Sequence, residues 1–233
     1  RRQRQMCIRD RYDMAYYADC YGVYSFEWYK GRNKPIRSQK VYGGLNQNDY
    51  LLMMKFLEKG KLFIAEYNMF SSPTNALVRS KTETLLGIGW SGWSGKYYRT
   101  LDVGTQEGPP AWMKNLYESQ HMGVWPASAE GIVLLNNDGI IEVLTVGDDL
   151  ELGMPIIKSL EESTHRFGVT KEVPFLGWFE FIDAKDNQVP AHFYLNTTER
   201  GKSKLEDKKL SDVFPAVIEG SIDHHYFYFL SLI

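Results

Sequence analysis

The sequence predicts an α/β region, a parallel sheet with flanking helices, followed by a β-rich α+β region. Three observations carry this. Strand-like and helix-like segments alternate through residues 12–128, the order that parallel sheets with covering helices require. Lys61 to Glu66 (KLFIAE) is almost wholly apolar, as a strand covered on both faces is. Across residues 129–229 the pattern becomes mostly strand-like, and the division falls near Pro126 to Glu130.

The elements follow in order. Asp13 to Asp19 (DMAYYAD) is short and apolar, ends on a carboxylate, and reads as a buried strand. Cys20 to Gln39 is aromatic and then basic, with Gly31 and Pro35, and reads as an irregular excursion. Lys40-Val41-Tyr42 is a second strand, stopped by Gly43-Gly44. Asn48 is placed to cap the following helix, because its side-chain oxygen can accept an orphan N–H of the first turn. Leu52 with Phe56, and Met53 with Leu57, share a helical face. Gly60 ends that helix, and Lys61 to Glu66 is the next strand. Ser72 is expected to cap a second helix with Pro73 at its first position and Gly87 just past its end.

Gly89 to Tyr98 (GWSGWSGKYY) is expected to be extended, and Pro110 to open a third helix carrying Trp112, Met113, Leu116 and Tyr117. Two apolar runs around Asn137-Asp138-Gly139 predict a hairpin, since Asp-Gly suits a tight turn needing positive φ. Trp178 to Ile182 and Ala191 to Leu195 read as strands flanking a turn, and Tyr226 to Phe229 as a strand. Thr197 to Lys209 is charged and reads as a solvated loop or a short exposed helix.

The chain carries 27 basic and 29 acidic residues, a net charge of -2. The first eleven residues resemble a translated sequencing adapter. Arg1 to Arg11 back-translates without mismatch to a transposase-type library adapter, and Leu230 to Ile233 fits its reverse complement. These segments, 1–11 and 230–233, are therefore expected to be non-native, against the alternative that Arg1 to Arg11 is a basic arm for nucleic acid. Setting aside five Arg and one Asp leaves 22 basic against 28 acidic residues, a net of -6. An acidic chain gives no electrostatic reason to expect nucleic acid as partner. It also leaves Cys20 as the remaining cysteine, which alone makes neither an internal disulfide nor a zinc site. No apolar run is long enough to span a bilayer.

Tyr42-Gly43-Gly44, a helix, and then Lys61 to Glu66 resembles the core of class I glutamine amidotransferase-like domains. In that family a Gly-Gly loop precedes the helix, and the next strand delivers a nucleophile at a sharp turn. The segments YGGLNQNDYLLM, FIAEYN, SPTNALVR, GWSGWSGKYY, GIVLLNNDG and VFPAVIE resemble an uncharacterised Bacteroidetes family. Its members carry an N-terminal hydrophobic anchor and a further strand ahead of this region. The resemblance thus implies a sheet truncated at its front and a membrane-anchored or periplasmic setting. The turn after the strand here reads Glu66-Tyr67-Asn68, without the cysteine that attack on a glutamine amide needs, so glutaminase activity is not expected.

Candidate site residues come from strand ends. Asp19 and Glu66 terminate apolar strands and Asn68 follows, at the edge where open α/β sheets bind ligands. Paired carboxylates there suit acid–base chemistry, with Asp19 and Glu66 in the catalytic role. Gly43 and Gly44 leave room for a ligand against the backbone. Trp90, Trp93 and Tyr97 would stack on sugar rings if exposed, and would pack on the sheet otherwise. Their WSGWS run has the form of the cytokine-receptor box, but that β-fold carries paired cysteines. His224-His225 would point to opposite faces of a strand and is no metal site. No phosphate-binding glycine loop occurs, and no cofactor or metal is expected. The function expected is a non-catalytic, envelope-associated binding or scaffolding protein with polysaccharide as candidate partner. The alternative is a hydrolase using the paired carboxylates.

Overall fold

The computed structural model describes residues 12–18, 20, 22–25, 38, 40–71, 73–220 and 225–231. Its strands are Met14–Tyr17 (β1), Gly22–Tyr24 (β2), Lys40–Gly43 (β3), Leu62–Glu66 (β4), Gly89–Tyr98 (β5), Gly131–Asn136 (β6), Ile141–Thr145 (β7), Ile156–Ser159 (β8), Glu172–Pro174 (β9), Trp178–Asp183 (β10), Gln188–Tyr194 (β11), Val213–Glu219 (β12) and Tyr226–Phe229 (β13). Its helices are Gln47–Glu58 (α1), Ala76–Leu86 (α2), Ala111–His121 (α3), Glu161–Phe167 (α4) and Glu199–Asp207 (α5). Arg1 to Arg11, Asp19, Ser72, His224, Leu232 and Ile233 lie outside the described residues.

The architecture is α+β, built on a mixed sheet. Seven strands run in the order β1-β4-β13-β12-β11-β8-β9, beside a four-stranded sheet β10-β5-β6-β7 and a ribbon β2-β3. Among the described strands only β1 with β4 and β4 with β13 pair in parallel; every other strand pairing is antiparallel. Both larger sheets draw strands from either side of the division placed near Pro126 to Glu130. β3 differs from its expected place. It pairs with β2 outside the seven-stranded sheet, with Gly22 opposite Gly43.

Local chemistry explains the helix limits. Asn46, not Asn48, caps α1. Its Oδ1 accepts the N–H groups of Asn48 at 2.8 Å and Asp49 at 3.4 Å, while Asp49 Oδ2 accepts the Asn46 N–H at 2.9 Å. That reciprocal box needs an acid three residues after the cap, and Leu51 stands there relative to Asn48. Asn75 caps α2 by accepting the Leu77 N–H at 2.9 Å, so Pro73 lies outside the helix. Gly87 closes α2 in the left-handed region at φ 64°. The β6–β7 hairpin forms as expected, with Gly139 at φ 89°. Thr197 to Lys209 contains α5, which buries Gly201 and Leu205.

The pleat of the seven-stranded sheet decides where the core sits. The parallel register puts Ala15, Tyr17, Phe63, Ala65, Tyr226 and Tyr228 on one face, and Met14, Tyr16, Leu62, Ile64, Phe227 and Phe229 on the other. The first face is packed. Tyr17 lies 5.4 Å from Phe63, the Tyr226 hydroxyl donates to the Leu86 carbonyl at 2.6 Å, and Met53, Phe56 and Leu57 of α1 are buried. Further along the same face, Phe179 of β10 sits 5.4 Å from Phe193 and 5.6 Å from Phe214. Gly95 opposite Phe179 leaves room for that ring, because a Cβ there would collide with it. The far face of the four-stranded sheet holds a second cluster under α3, with Met113, Trp125, Val133, Ile141 and Val143.

Among the described residues the opposite face of the seven-stranded sheet is half-buried at Leu62, Ile64, Phe227 and Phe229 and buried at Glu66. Helix α4 reaches it through Phe167, 5.9 Å from Phe227, and through the Arg166–Glu219 ion pair at 2.7 Å. At the β1 end Met14 is 51 % and Tyr16 54 % exposed. Leu62 to Glu66 is buried on one face and half-buried or buried on the other, with no exposed residue, while β1 is, among the described residues, an edge strand rather than a buried one. Leu230 and Ser231, read from the sequence as adapter, are buried; the Leu230 carbonyl accepts the Glu180 N–H at 3.1 Å.

Candidate functional site at the carboxyl end of β4

β4 ends on Glu66, and the chain turns at once. Asn68 adopts φ 73°, a left-handed conformation that asparagine tolerates better than most non-glycine residues. The turn is held from several directions. The Asn68 N–H donates to Glu180 Oε1 at 3.2 Å, and the Ser71 hydroxyl donates to Asn68 Oδ1. Thr74 Oγ1 donates to the Met69 carbonyl at 2.7 Å and accepts the Leu45 N–H at 3.0 Å. Asn68 itself is buried.

Two buried carboxylates mark this end of the sheet. Glu66 is 5 % exposed and accepts a hydrogen bond from the Tyr16 hydroxyl. Glu180, on β10, is fully buried and accepts from the Tyr228 hydroxyl as well as from Asn68. The Tyr228 phenol is pushed well above its ordinary range, first by burial and then by the charge and hydrogen bond of Glu180. A backbone hydrogen bond from Met69 works the other way, and Cys20 lies near enough to add to the rise. The Tyr16 phenol is also raised, chiefly by its hydrogen bond to Glu66.

Register separates these carboxylates. Glu66 lies opposite Phe229 and Tyr228 opposite Ala65, so Glu66 and Tyr228 project to opposite faces. The Glu180 carboxylate is drawn to the Tyr228 side, where Phe70 stands edge-on to Tyr228 at 5.7 Å. The two acids are therefore not a facing pair. Each is tied to a tyrosine on its own side of the sheet.

The remaining expectations divide. Gly44 does not leave space for a ligand. Gly44, at φ 80°, lies against the Pro73–Thr74 backbone, and a Cβ there would fall 2.6 Å from the Thr74 nitrogen. The loop is small because another loop fills the space. Trp93 is 5 % and Tyr97 6 % exposed; both belong to the main core, so their rings are occupied by protein and do not offer a sugar platform. Trp90 is half-buried, with the Arg79 guanidinium 4.7 Å over its ring. Among the described residues no group of three or more His, Cys, Asp or Glu could hold a metal ion.

Sequence reasoning missed Glu180 and the two tyrosines. Glu180 sits in WFEFID, where an acid between two phenylalanines in mid-strand was itself the available signal. It also missed a shallow apolar groove of about 390 Å³ along β1, lined by residues including Tyr12, Met14, Tyr17, Leu52 and Phe56. No helix of the described residues is long and apolar enough to cross a membrane. Comparison with protein-family models, with curated proteins and with solved structures finds no match to this chain.

Proposed function

We propose that this chain is a non-catalytic binding or scaffolding module that engages its partner through the β1 side of the seven-stranded sheet. The observation that carries the reading is the open apolar surface there. Met14 and Tyr16 on β1 and Tyr12 just before it are more than half exposed, and no strand of the described residues pairs with the outer edge of β1. Natural sheets normally protect such edges, and an exposed apolar patch marks an interaction site. The carboxyl rim supports the non-catalytic side of the reading, because Glu66 and Glu180 project to opposite faces and each already accepts a tyrosine hydroxyl. A hydrolase pairing Asp19 with Glu66 would have to break the Tyr16 bond to use Glu66.

The resemblance to the Bacteroidetes family favours an envelope setting, with cell-envelope polysaccharide as the first partner to test. It also favours descent from an amidotransferase-like core. The tight turn at Asn68 directly after a parallel strand supports that descent, while β3 standing outside the sheet is a departure from it.

The test is co-sedimentation of the chain with purified insoluble envelope polysaccharide, alongside turnover of chromogenic glycosides and esters. The chain should pellet with the polysaccharide, a Tyr12→Ser/Met14→Ser variant should stay in solution, and Glu66→Gln should leave binding unchanged. Substrate turnover abolished by Glu66→Gln would overturn the non-catalytic reading.

A further inference from the structure

We propose that Met122 is a reversible oxidation site, at which a hydroperoxide converts the thioether to its sulfoxide without cost to the fold. Methionine is an apolar side chain and is ordinarily drawn inside. Here the residue that follows α3 is 98 % exposed. The turn that carries it is tied down at both ends. His121 Nε2 bonds the Ile141 carbonyl at 2.8 Å, and its ring stacks on Tyr117 at 4.3 Å. Trp125 is buried; its indole N–H donates to the Leu101 carbonyl at 2.6 Å and its backbone N–H to Glu118 Oε1 at 3.3 Å. Between these anchors Met122 closes α3 in the left-handed region, at φ 47°. Glycine is the usual residue in such a cap, so the position carries a methionine where a side chain is least needed.

The other methionines contrast with it. Met53 and Met69 are fully buried and Met113 is 2 % exposed. Met54 and Met154 are half-buried, and Met154 packs against the main core. Met14, on β1, is about half exposed. A sulfur inside the core is reached only when the structure around it opens, whereas the Met122 sulfur stands in water. Among the described methionines, access therefore directs oxidation to Met122.

The chemistry is complete with the hydroperoxide alone. A lone pair on sulfur attacks one peroxide oxygen. The S–O bond forms as the O–O bond breaks, and the proton of the attacked oxygen passes to the departing one, which leaves as water or an alcohol. Sulfur is oxidised by two electrons and the peroxide is reduced by two. A dithiol reverses the change enzymatically: the sulfoxide returns to thioether with release of water, and the dithiol becomes a disulfide. In the core the new polar oxygen would be buried without a partner. At Met122 it stays hydrated, and a side chain so exposed has almost no packing to lose.

The experiment exposes the full chain to hydrogen peroxide, stops the reaction at intervals, and locates the added oxygen on each methionine by fragmentation of proteolytic peptides. Met122 should convert about twofold ahead of Met14, in step with exposure. It should run about a hundredfold or more ahead of Met53, Met69 and Met113, which react only through opening. The melting profile should stay unchanged while Met122 converts, and methionine sulfoxide reductases for both epimers, supplied with a dithiol, should restore the starting mass. Met122→Leu should remove this first conversion and leave the rates at the other described methionines as they were. Conversion of Met14 or a core methionine ahead of Met122 overturns the proposal. So does a melting temperature that falls in step with Met122 conversion, or a sulfoxide there that the reductases fail to return.

Discussion

Replacing Tyr228 by phenylalanine removes a single oxygen from the most enclosed polar contact at the carboxyl end of β4. The ring is fully buried and its hydroxyl donates to the equally buried Glu180. Phenylalanine keeps the ring in place, including its edge-on contact with Phe70, so little packing is lost. What is lost is a hydrogen bond to a buried carboxylate, worth about 1.5–3 kcal/mol. The Asn68 N–H at 3.2 Å remains on the same oxygen and holds the effect toward the lower end of that range. Urea unfolding of both forms should show a lower midpoint for Tyr228→Phe with an unchanged slope. A cycle with Glu180→Gln should return a coupling of about 1 kcal/mol or more, because contacting groups are not additive. Equal midpoints for wild type and Tyr228→Phe would refute the view that this bond anchors the turn. The same pair sets an alkaline limit. The folded-state pKa of Tyr228 is raised, so its contribution is complete below the ordinary tyrosine value near 10 and is lost as pH rises beyond it. Tyr98 and Tyr226 are raised well above 10 by burial and act in the same direction. Wild type should lose stability steeply above pH 10, at up to about 1.4 kcal/mol per pH unit for each such tyrosine, and Tyr228→Phe should lose it less steeply.

Gly44→Ala forces a side chain into the Thr74 backbone at a positive φ and should destabilise by about 2 kcal/mol, read as a drop in melting temperature. Lys204 bonds the buried Asp149 at 2.8 Å and the Val143 carbonyl at 3.1 Å, so Lys204→Met should cost about 3 kcal/mol in urea unfolding; a loss under 0.5 kcal/mol would show that Arg200, 3.2 Å from Asp149, suffices. Burial lowers the His192 pKa, which makes its contribution present above the ordinary histidine value and lost as pH falls through the lowered one. Its ring should titrate below 6.5 by NMR, and His192→Gln should flatten the acid limb of the stability profile.

Of the candidate site, Glu66 and Asn68 were legible because strand ends and the turns that follow them leave local marks: an apolar run, a terminal acid, a residue able to take positive φ. Their partners were not legible. Tyr16 stands 50 residues from Glu66, Tyr228 stands 48 from Glu180, and Glu180 stands 112 from Asn68. Nothing in the spacing of these residues announces the contact, since it arises only when β1, β10 and β13 gather around β4. Trp93 and Tyr97 show the converse. Their aromatic character was plain, but whether a ring faces water depends on the sheet packed against it.

Sequence alone determined the elements whose causes are local. The Asp138-Gly139 turn joins β6 to β7, the extended run Gly89–Tyr98 is one strand, and Gly87 closes α2. Each rests on chemistry within a few residues: a turn needing positive φ, a period of two, a cap. The tertiary structure decided the company those elements keep. β3 stands outside the seven-stranded sheet in a ribbon with β2, with Gly22 opposite Gly43 and the Pro73–Thr74 backbone against Gly44. β13, from the far end of the chain, took the place beside β4 through the register of Tyr228 with Ala65. Apolar character told β1 and β4 that they belong to a sheet. It could not tell them how far each face would be covered, because burial belongs to the neighbour that arrives: among the described residues α1 and α2 came to one face and α4 to the other.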